Sequence, residues 1–320
     1  MENKKKTILV TIDHSRQSID AATYISAMVD PRENIVTLFH VESDLFDIFF
    51  DSDDYPSLNL GETSHFSDWM NVQRHSIDEN LEMAEKIFLS KDFPKENIRI
   101  LKQPLTKGIT RDILVESQKN YDLLVIGKSG SNWIADGLTG TVTEKLLSRT
   151  FHIPLVIIAG TPDTHKVLLG YDGSNGADKA VATSAKLIRS DMSEVQLCHV
   201  IRSFNMALAQ NTPGYTSFYN TYLPELEEAL IKIRREKMEP LLNKACNVFV
   251  RHGFVPSTVR WSLINRTASR SQALLDMAKT QECGSLVLGR RGNSAVEEFF
   301  MGRVGKKVVQ KADSIAVWII

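Results

Sequence analysis

The chain has 320 residues, room for two ordinary domains, with 42% hydrophobic and 24% charged residues. Its net charge of −1 excludes an overall field that would draw it to nucleic acid or an anionic membrane. Cys198, Cys246 and Cys283 are its three cysteines, without a C-x-x-C, which fits a reducing cytoplasm better than a disulfide framework. The apolar run after Lys4-Lys5-Lys6 stops at Asp13, which is strand length and too short for a signal sequence. No window reaches the roughly 18 apolar residues of a membrane span. The expectation is a cytoplasmic protein with neither a membrane nor a nucleic-acid partner.

In chain order, Thr7–Ile12 and Ile35–Val41 are short runs rich in β-branched residues and predict strands. Between them Ile19, Ala22, Ile25 and Met28 or Val29 recur at helical spacing, with Ser15 or Ser18 available as a cap. A long segment from Glu42 to about Arg74 follows, dense in aromatics: Phe46, Phe49, Phe50, Tyr55, Phe66 and Trp69. Its length and composition suit either a lid or partner surface, or a helix-bearing insertion that covers its own domain. Leu81, Ala84 and Ile87 or Phe88 then mark a helix, Ile98–Leu101 a strand, and Ile109, Ile113 and Ser117 a helix. Leu123–Ile126 is a strand, Val142, Leu146 and Leu147 a helix face, and Leu155–Ile158 a strand. Such continuous apolar runs suit strands buried on both faces.

The second half repeats the pattern. Its strands are Val167–Tyr171, Val195–Val200, Thr258–Trp261, Leu286–Leu288 and Ile315–Ile319. A helix buries Ala177, Val181, Ser184 and Leu187, and a long helix is expected from Pro224 to about Pro240. A second aromatic segment, Arg202–Tyr222, holds Phe204, Tyr215, Phe218, Tyr219 and Tyr222. Asp13 and Asp172 lie 159 residues apart, as do His40 and His199, while Gly127 and Gly289, like Gly140 and Gly302, lie 162 apart. Matched features in one order argue for duplication. Gly160-Thr161-Pro162-Asp163 reads as the link, giving domains 1–160 and 161–320. Strand–helix alternation in each implies two tandem five-stranded parallel-sheet Rossmann-like domains, with helices on both faces.

The strongest chemical signal is Gly127-Lys128-Ser129-Gly130, nine residues, then Gly140-Thr141, between a buried strand and a helix start. Glycines let backbone N–H groups approach a ligand, and a helix N-terminus offers unpaired donors and a positive dipole end. The pattern predicts a phosphate cradle. Thr141-x-x-Glu144 also reads as a capping box, so Thr141 has a purely structural alternative.

The G-x2-G-x9-G-[S/T] pattern resembles the nucleotide signature of the universal stress protein family, of the adenine nucleotide alpha hydrolase-like fold. Ile8–Ser15 resembles that family's opening strand with its aspartate, and His40-Val41 the end of its second strand. The resemblance covers nearly all of both halves. It implies an ATP site in the first copy, with Thr11, Ile12, Asp13 and Val41 lining the adenine and ribose pocket, and Ile126 and Gly127 as its floor. Ser129, Gly130, Gly140, Thr141, Val142 and Thr143 would hold the phosphates. It also implies Mg2+ on the phosphates, without a protein metal cage. In that family single domains dimerise through their final strands, which implies pairing of the two halves through equivalent surfaces, with a homodimer as a further option.

The second copy departs from the pattern. Gly289-Arg290-Arg291-Gly292 and Gly302 keep the spacing, but Arg303 replaces the Ser/Thr, and Lys306 stands at the counterpart of Glu144. Asp172, Val200, Gly289, Arg291, Gly292, Gly302, Arg303 and Val304 are its candidate site. Its arginines either grip phosphate or, through Arg303, fill the cradle, with Glu297 and Glu298 offsetting the charge. No Walker A lysine, G-x-S-x-G or H-E-x-x-H is present, and no catalytic residue stands out. His40 and His199 read as core-edge residues. The expectation is a non-catalytic, ATP-dependent stress-response regulator. An interaction scaffold with vestigial sites and a weak ATPase are the alternatives.

Overall fold

The computed structural model describes residues 4–42, 64–128, 142–202, 215–292 and 302–320, with side chains except for 64–74, 215–224 and 266. The chain divides into two compact units, residues 1–161 and 162–320. In the first, β1 (Lys6–Thr11), β2 (Asn34–Glu42), β3 (Ile98–Pro104), β4 (Leu123–Gly127) and β5 (Leu155–Ile158) run in the order β3-β2-β1-β4-β5. Every neighbouring pair is parallel. The helices are α1 (Arg16–Met28), α2 (Ser64–Leu89), α3 (Ile109–Ser117) and α4 (Val142–Arg149).

The second unit has β6 (Lys166–Gly170), β7 (Glu194–Arg202), β8 (Val259–Thr267), β9 (Ser285–Leu288) and β10 (Ala316–Ile319). Their order is β8-β7-β6-β9-β10, again parallel. Its helices are α5 (Asn175–Leu187), α6 (Tyr215–Arg251), α7 (Arg270–Thr280) and α8 (Arg303–Lys311). Each unit is therefore a doubly wound Rossmann-like sheet whose strand order reverses beside its first strand, between β1 and β4 and between β6 and β9. Consecutive residues Ile8–Val10, Leu123–Ile126 and Leu155–Ile158 are all buried, so both faces of the first sheet are covered.

The same core is built twice. Ile77, Leu81, Ala84 and Phe88 bury one face of α2, and Met238, Leu242, Ala245 and Phe249 bury one face of α6, each pair 161 residues apart. Phe88 meets Phe93 edge-on at 4.9 Å between ring centroids, and Phe249 meets Phe254 likewise at 5.2 Å. Both geometries are favoured edge-to-face packings.

Three expectations need correction. The long helix is not confined to Pro224–Pro240: α6 begins nine residues earlier and continues eleven beyond. An internal proline costs roughly 3 kcal/mol; burial of Met238, Leu242, Ala245 and Phe249 on either side of Pro240 carries the helix through. The run Ile98–Leu101 is not buried on both faces. β3 is an edge strand with Arg99, Ile100 and Lys102 exposed, and its cations discourage edge-to-edge pairing. On α4, Val142 is exposed and Thr143 takes the buried position beside Leu146 and Leu147.

The later part of each aromatic segment is helical, placing Phe66 and Trp69 in α2 and Tyr215, Phe218, Tyr219 and Tyr222 in α6. Phe46, Phe49, Phe50, Tyr55 and Phe204 lie outside the described residues. No helix among the described residues is long and apolar enough to cross a membrane.

Candidate nucleotide site

At the carboxyl end of β1 the chain turns sharply into α1. Asp13 Oδ1 accepts from the Ser15 amide at 2.9 Å and from the Ser15 hydroxyl. Ser15 in turn caps α1 by accepting from the Ser18 amide at 3.4 Å. The second copy repeats the turn: Asp172 Oδ1 accepts from the Ser174 amide at 3.1 Å, and Ser174 caps α5 through the Ala177 amide at 3.2 Å. One carboxylate oxygen of each aspartate is thus used to orient the group at the mouth of the sheet.

A histidine braces each strand end. His40 Nδ1 lies 2.8 Å from the Ile12 carbonyl, and His199 Nδ1 lies 2.8 Å from the Tyr171 carbonyl. The Ile12 and Tyr171 amides donate to the Phe39 and Cys198 carbonyls, each at 2.8 Å. Donation from Nδ1 fixes the tautomer of a neutral ring. Burial holds both pKa values below the ordinary imidazole value, against the opposing pull of the carbonyl bond. The surroundings then diverge. His14, Glu42 and Asp13 act on His40, whereas Arg234, Asp172 and Arg270 act on His199. Sequence reading placed these histidines at the core edge but missed the brace; their shared 159-residue offset was its only signal.

Gly127 and Gly289 end β4 and β9 against the first turns of α1 and α5. A Cβ on Gly127 would lie 2.5 Å from the Gln17 carbonyl oxygen, and one on Gly289 2.5 Å from the Gly176 carbonyl carbon. Close strand–helix packing therefore demands glycine at both positions. The next amides are also committed, Lys128 to the Ile158 carbonyl at 2.7 Å and Arg290 to that of Ile320 at 2.5 Å.

Beyond these points the two loops differ in what is described. Ser129, Gly130, Gly140 and Thr141 lie outside the described residues, as do Glu297 and Glu298. In the first copy Ile12, Val41 and Ile126 are buried, Thr11 is half-buried with its hydroxyl 3.5 Å from the Val125 carbonyl, and Thr143 is buried. In the second, the Gly302 amide donates to the Arg290 carbonyl at 3.0 Å and closes the neck of the loop. A Cβ on Gly292 would run into Asp172 Oδ2, so this glycine and the aspartate meet directly. Gly302 is the N-cap of α8 and supplies no side-chain hydrogen bond to it.

Arg303, at the first position of α8, is exposed, which argues against its filling the cradle. Val304 and Arg291 are half-buried, and Val200 is buried. Burial, with Arg291 beside it, brings the Arg290 pKa down to about 10, so it stays cationic at neutral pH. The second copy thus joins an uncapped helix start, a close glycine–aspartate contact and an arginine-rich loop. Chemically such an arrangement suits an anion, with an acceptor next to it.

An open parallel sheet binds ligands in the crevice outside its carboxyl edge, where the strand order reverses. Asp13, Gly127, Asp172 and Gly292 all stand at that edge, in a doubly wound α/β fold in each half. Residues 164–320 match the family model described as the universal stress protein family. A universal stress protein of Mycobacterium tuberculosis is 24% identical over 316 residues, covering 97% of this chain and 95% of that protein. Universal stress protein YxiE of Bacillus subtilis is 25% identical over 148 residues, 46% of this chain and 92% of its own. The fold matches a solved universal stress protein from Archaeoglobus fulgidus, with TM-score 0.54, 16% identity, and coverage of 98% of this chain and 97% of that one. Residues 164–320 belong to the universal stress protein family, and the whole chain is similar to universal stress proteins over nearly its full length.

Proposed function

We propose that this protein binds ATP at the carboxyl edge of its α/β domains and acts as a nucleotide-dependent regulator rather than a catalyst. The observation that carries the reading is the meeting of Asp172 with Gly292 beside the uncapped start of α8. A carboxylate oxygen suits a ribose hydroxyl, and helix-start amides flanked by Arg291 and Arg303 suit phosphate. The residues present therefore fit an adenine nucleotide. In the second copy Asp172 would hold the sugar, and the amides of Arg303 and Val304 with the Arg291 guanidinium would hold the phosphates. In the first, the repeated Asp13 turn and the G-x2-G-x9-G-T pattern support the same arrangement, with Gly130, Gly140, Thr141 and the Val142 amide at the phosphates. Mg2+, when bound, would neutralise phosphate charge and be held through the nucleotide.

The test is nucleotide analysis of the purified protein, followed by ATP titration of the wild type, Gly140→Val and Gly302→Val. Each variant should lose binding at its own copy by at least tenfold, and the double variant should bind none. Undiminished stoichiometry and affinity in the double variant would overturn the assignment. Sustained multiple-turnover phosphate release would overturn the regulatory reading in favour of an ATPase.

A further inference from the structure

The long helix α6 has two parts with different surroundings. From Met238 onward it docks on its own sheet through Met238, Leu242, Ala245 and Phe249. From 225 to 237 not one residue is buried. Yet this outer part is not a uniformly polar helix. Leu226, Leu230 and Ile233 are 48%, 42% and 61% exposed, and their spacing of four and three places them in one stripe. Tyr215, Tyr219 and Tyr222 hold the preceding positions of the same register. A sustained four-three spacing is the seam of a helix pair. Scattered exposed apolar residues need no explanation, but an ordered stripe of them does.

The charges along this stretch say what covers the stripe. Before Leu230 stand Glu225, Glu227 and Glu228; after it stand Lys232, Arg234, Arg235 and Lys237, with Glu236 the only acid among them. A parallel partner of the same sequence would set acids against acids and bases against bases. An antiparallel one centred on Leu230 brings Glu225 level with Arg235 and Glu228 level with Lys232, at both ends by symmetry. We infer that the outer part of α6 is a self-association surface, pairing antiparallel with α6 of a second copy of this chain about a two-fold axis near Leu230. Such an isologous contact is self-complementary and closes at the dimer. Residues 215–237 form about 34 Å of helix, long enough for a continuous seam.

Sedimentation of the full-length protein at tens of micromolar and low salt tests this. The wild type should be a dimer that weakens by tenfold or more in high salt, since exposed charges are screened. Leu230→Glu/Ile233→Glu should be a folded monomer, because both sites are exposed. Glu225→Lys/Glu227→Lys/Glu228→Lys and Lys232→Glu/Arg235→Glu/Lys237→Glu should each be monomeric alone and form a mixed dimer together. Under mild oxidation Leu230→Cys should cross-link to itself, whereas Leu226→Cys, whose counterpart lies near 233–234, should not. A wild type that stays monomeric, or a dimer that survives Leu230→Glu/Ile233→Glu unchanged, would overturn the inference.

Discussion

Gly127→Ala separates the two reasons a glycine can end β4. A new Cβ would lie 2.5 Å from the Gln17 carbonyl oxygen, 2.6 Å from its carbon and 2.9 Å from the Ser18 amide nitrogen. Real Cβ contacts essentially never fall below 3.0 Å, so strand and helix must part by half an ångström or more. All three atoms are backbone in the first turn of α1, anchored by the Ser15 cap and the Asp13 turn. No rotamer change relieves the clash. Overpacking of this kind costs about 1–3 kcal/mol, and the stiffer unfolded chain returns about 0.4–1 kcal/mol. The net loss is about 1–2 kcal/mol, which in a domain of this size lowers Tm by roughly 2–8 °C. Calorimetry of the full chain should show one transition falling while the other stays, and Gly289→Ala should move the other instead. ATP affinity measured well below Tm should change little. An unchanged Tm accompanied by lost nucleotide binding would refute the packing argument.

Two further outcomes are expected. Because burial depresses the pKa of His40 and His199, the folded state holds them neutral while the unfolded chain takes up protons below its ordinary value of about 6.5. Their contribution is complete above that pH and is lost as pH falls toward the folded value, at no more than about 1.4 kcal/mol per unit for each. Urea titrations from pH 7.5 to 5.0 should show this slope shrink in His40→Phe/His199→Phe. Asp112 is buried, accepts from the Thr106 hydroxyl at 2.6 Å and from the Thr106 and Lys107 amides, and organises the turn from β3 into α3. Burial alone would raise its pKa, but those bonds prevail and hold it low, so its stabilisation is present above the ordinary carboxylate range and lost in acid. Asp112→Ala should destabilise the first unit by about 1–3 kcal/mol at pH 7 in chemical denaturation, and by less as the pH falls below the ordinary carboxylate range.

Periodicity made the strands and the duplication legible because buried parallel strands are continuous apolar runs, and Ile8–Val10 and Leu123–Ile126 offer no competing reading. It misjudged β3, where Arg99 and Lys102, an odd number of residues apart and so on opposite faces, already argued against burial of both. It misplaced the ends of α6 because Pro224 and Pro240 carry local penalties that core contacts made elsewhere outweigh. Of the candidate site, sequence spacing picked out Asp13, Asp172, Gly127, Gly289 and Gly292, which the fold places at the carboxyl edges of the sheets. It could not separate glycines needed for strand–helix contact, Gly127 and Gly289, from Gly292, which meets a carboxylate. That distinction depends on which backbone atom stands opposite each Cα, and no local pattern encodes it. The Phe88–Phe93 and Phe249–Phe254 pairs, repeated at an offset intermediate between those of the strands, were equally out of reach.

The committed amides of Lys128 and Arg290 have a consequence for how two copies of one fold drift apart. Because each loop leaves its strand through a main-chain bond to the final strand, beside a glycine wedged against a helix turn, its point of departure is fixed by backbone atoms rather than side chains. That departure survives the change from Lys128 in one half to Arg290 in the other, so the residues that follow can diverge while the exit from the strand stays the same.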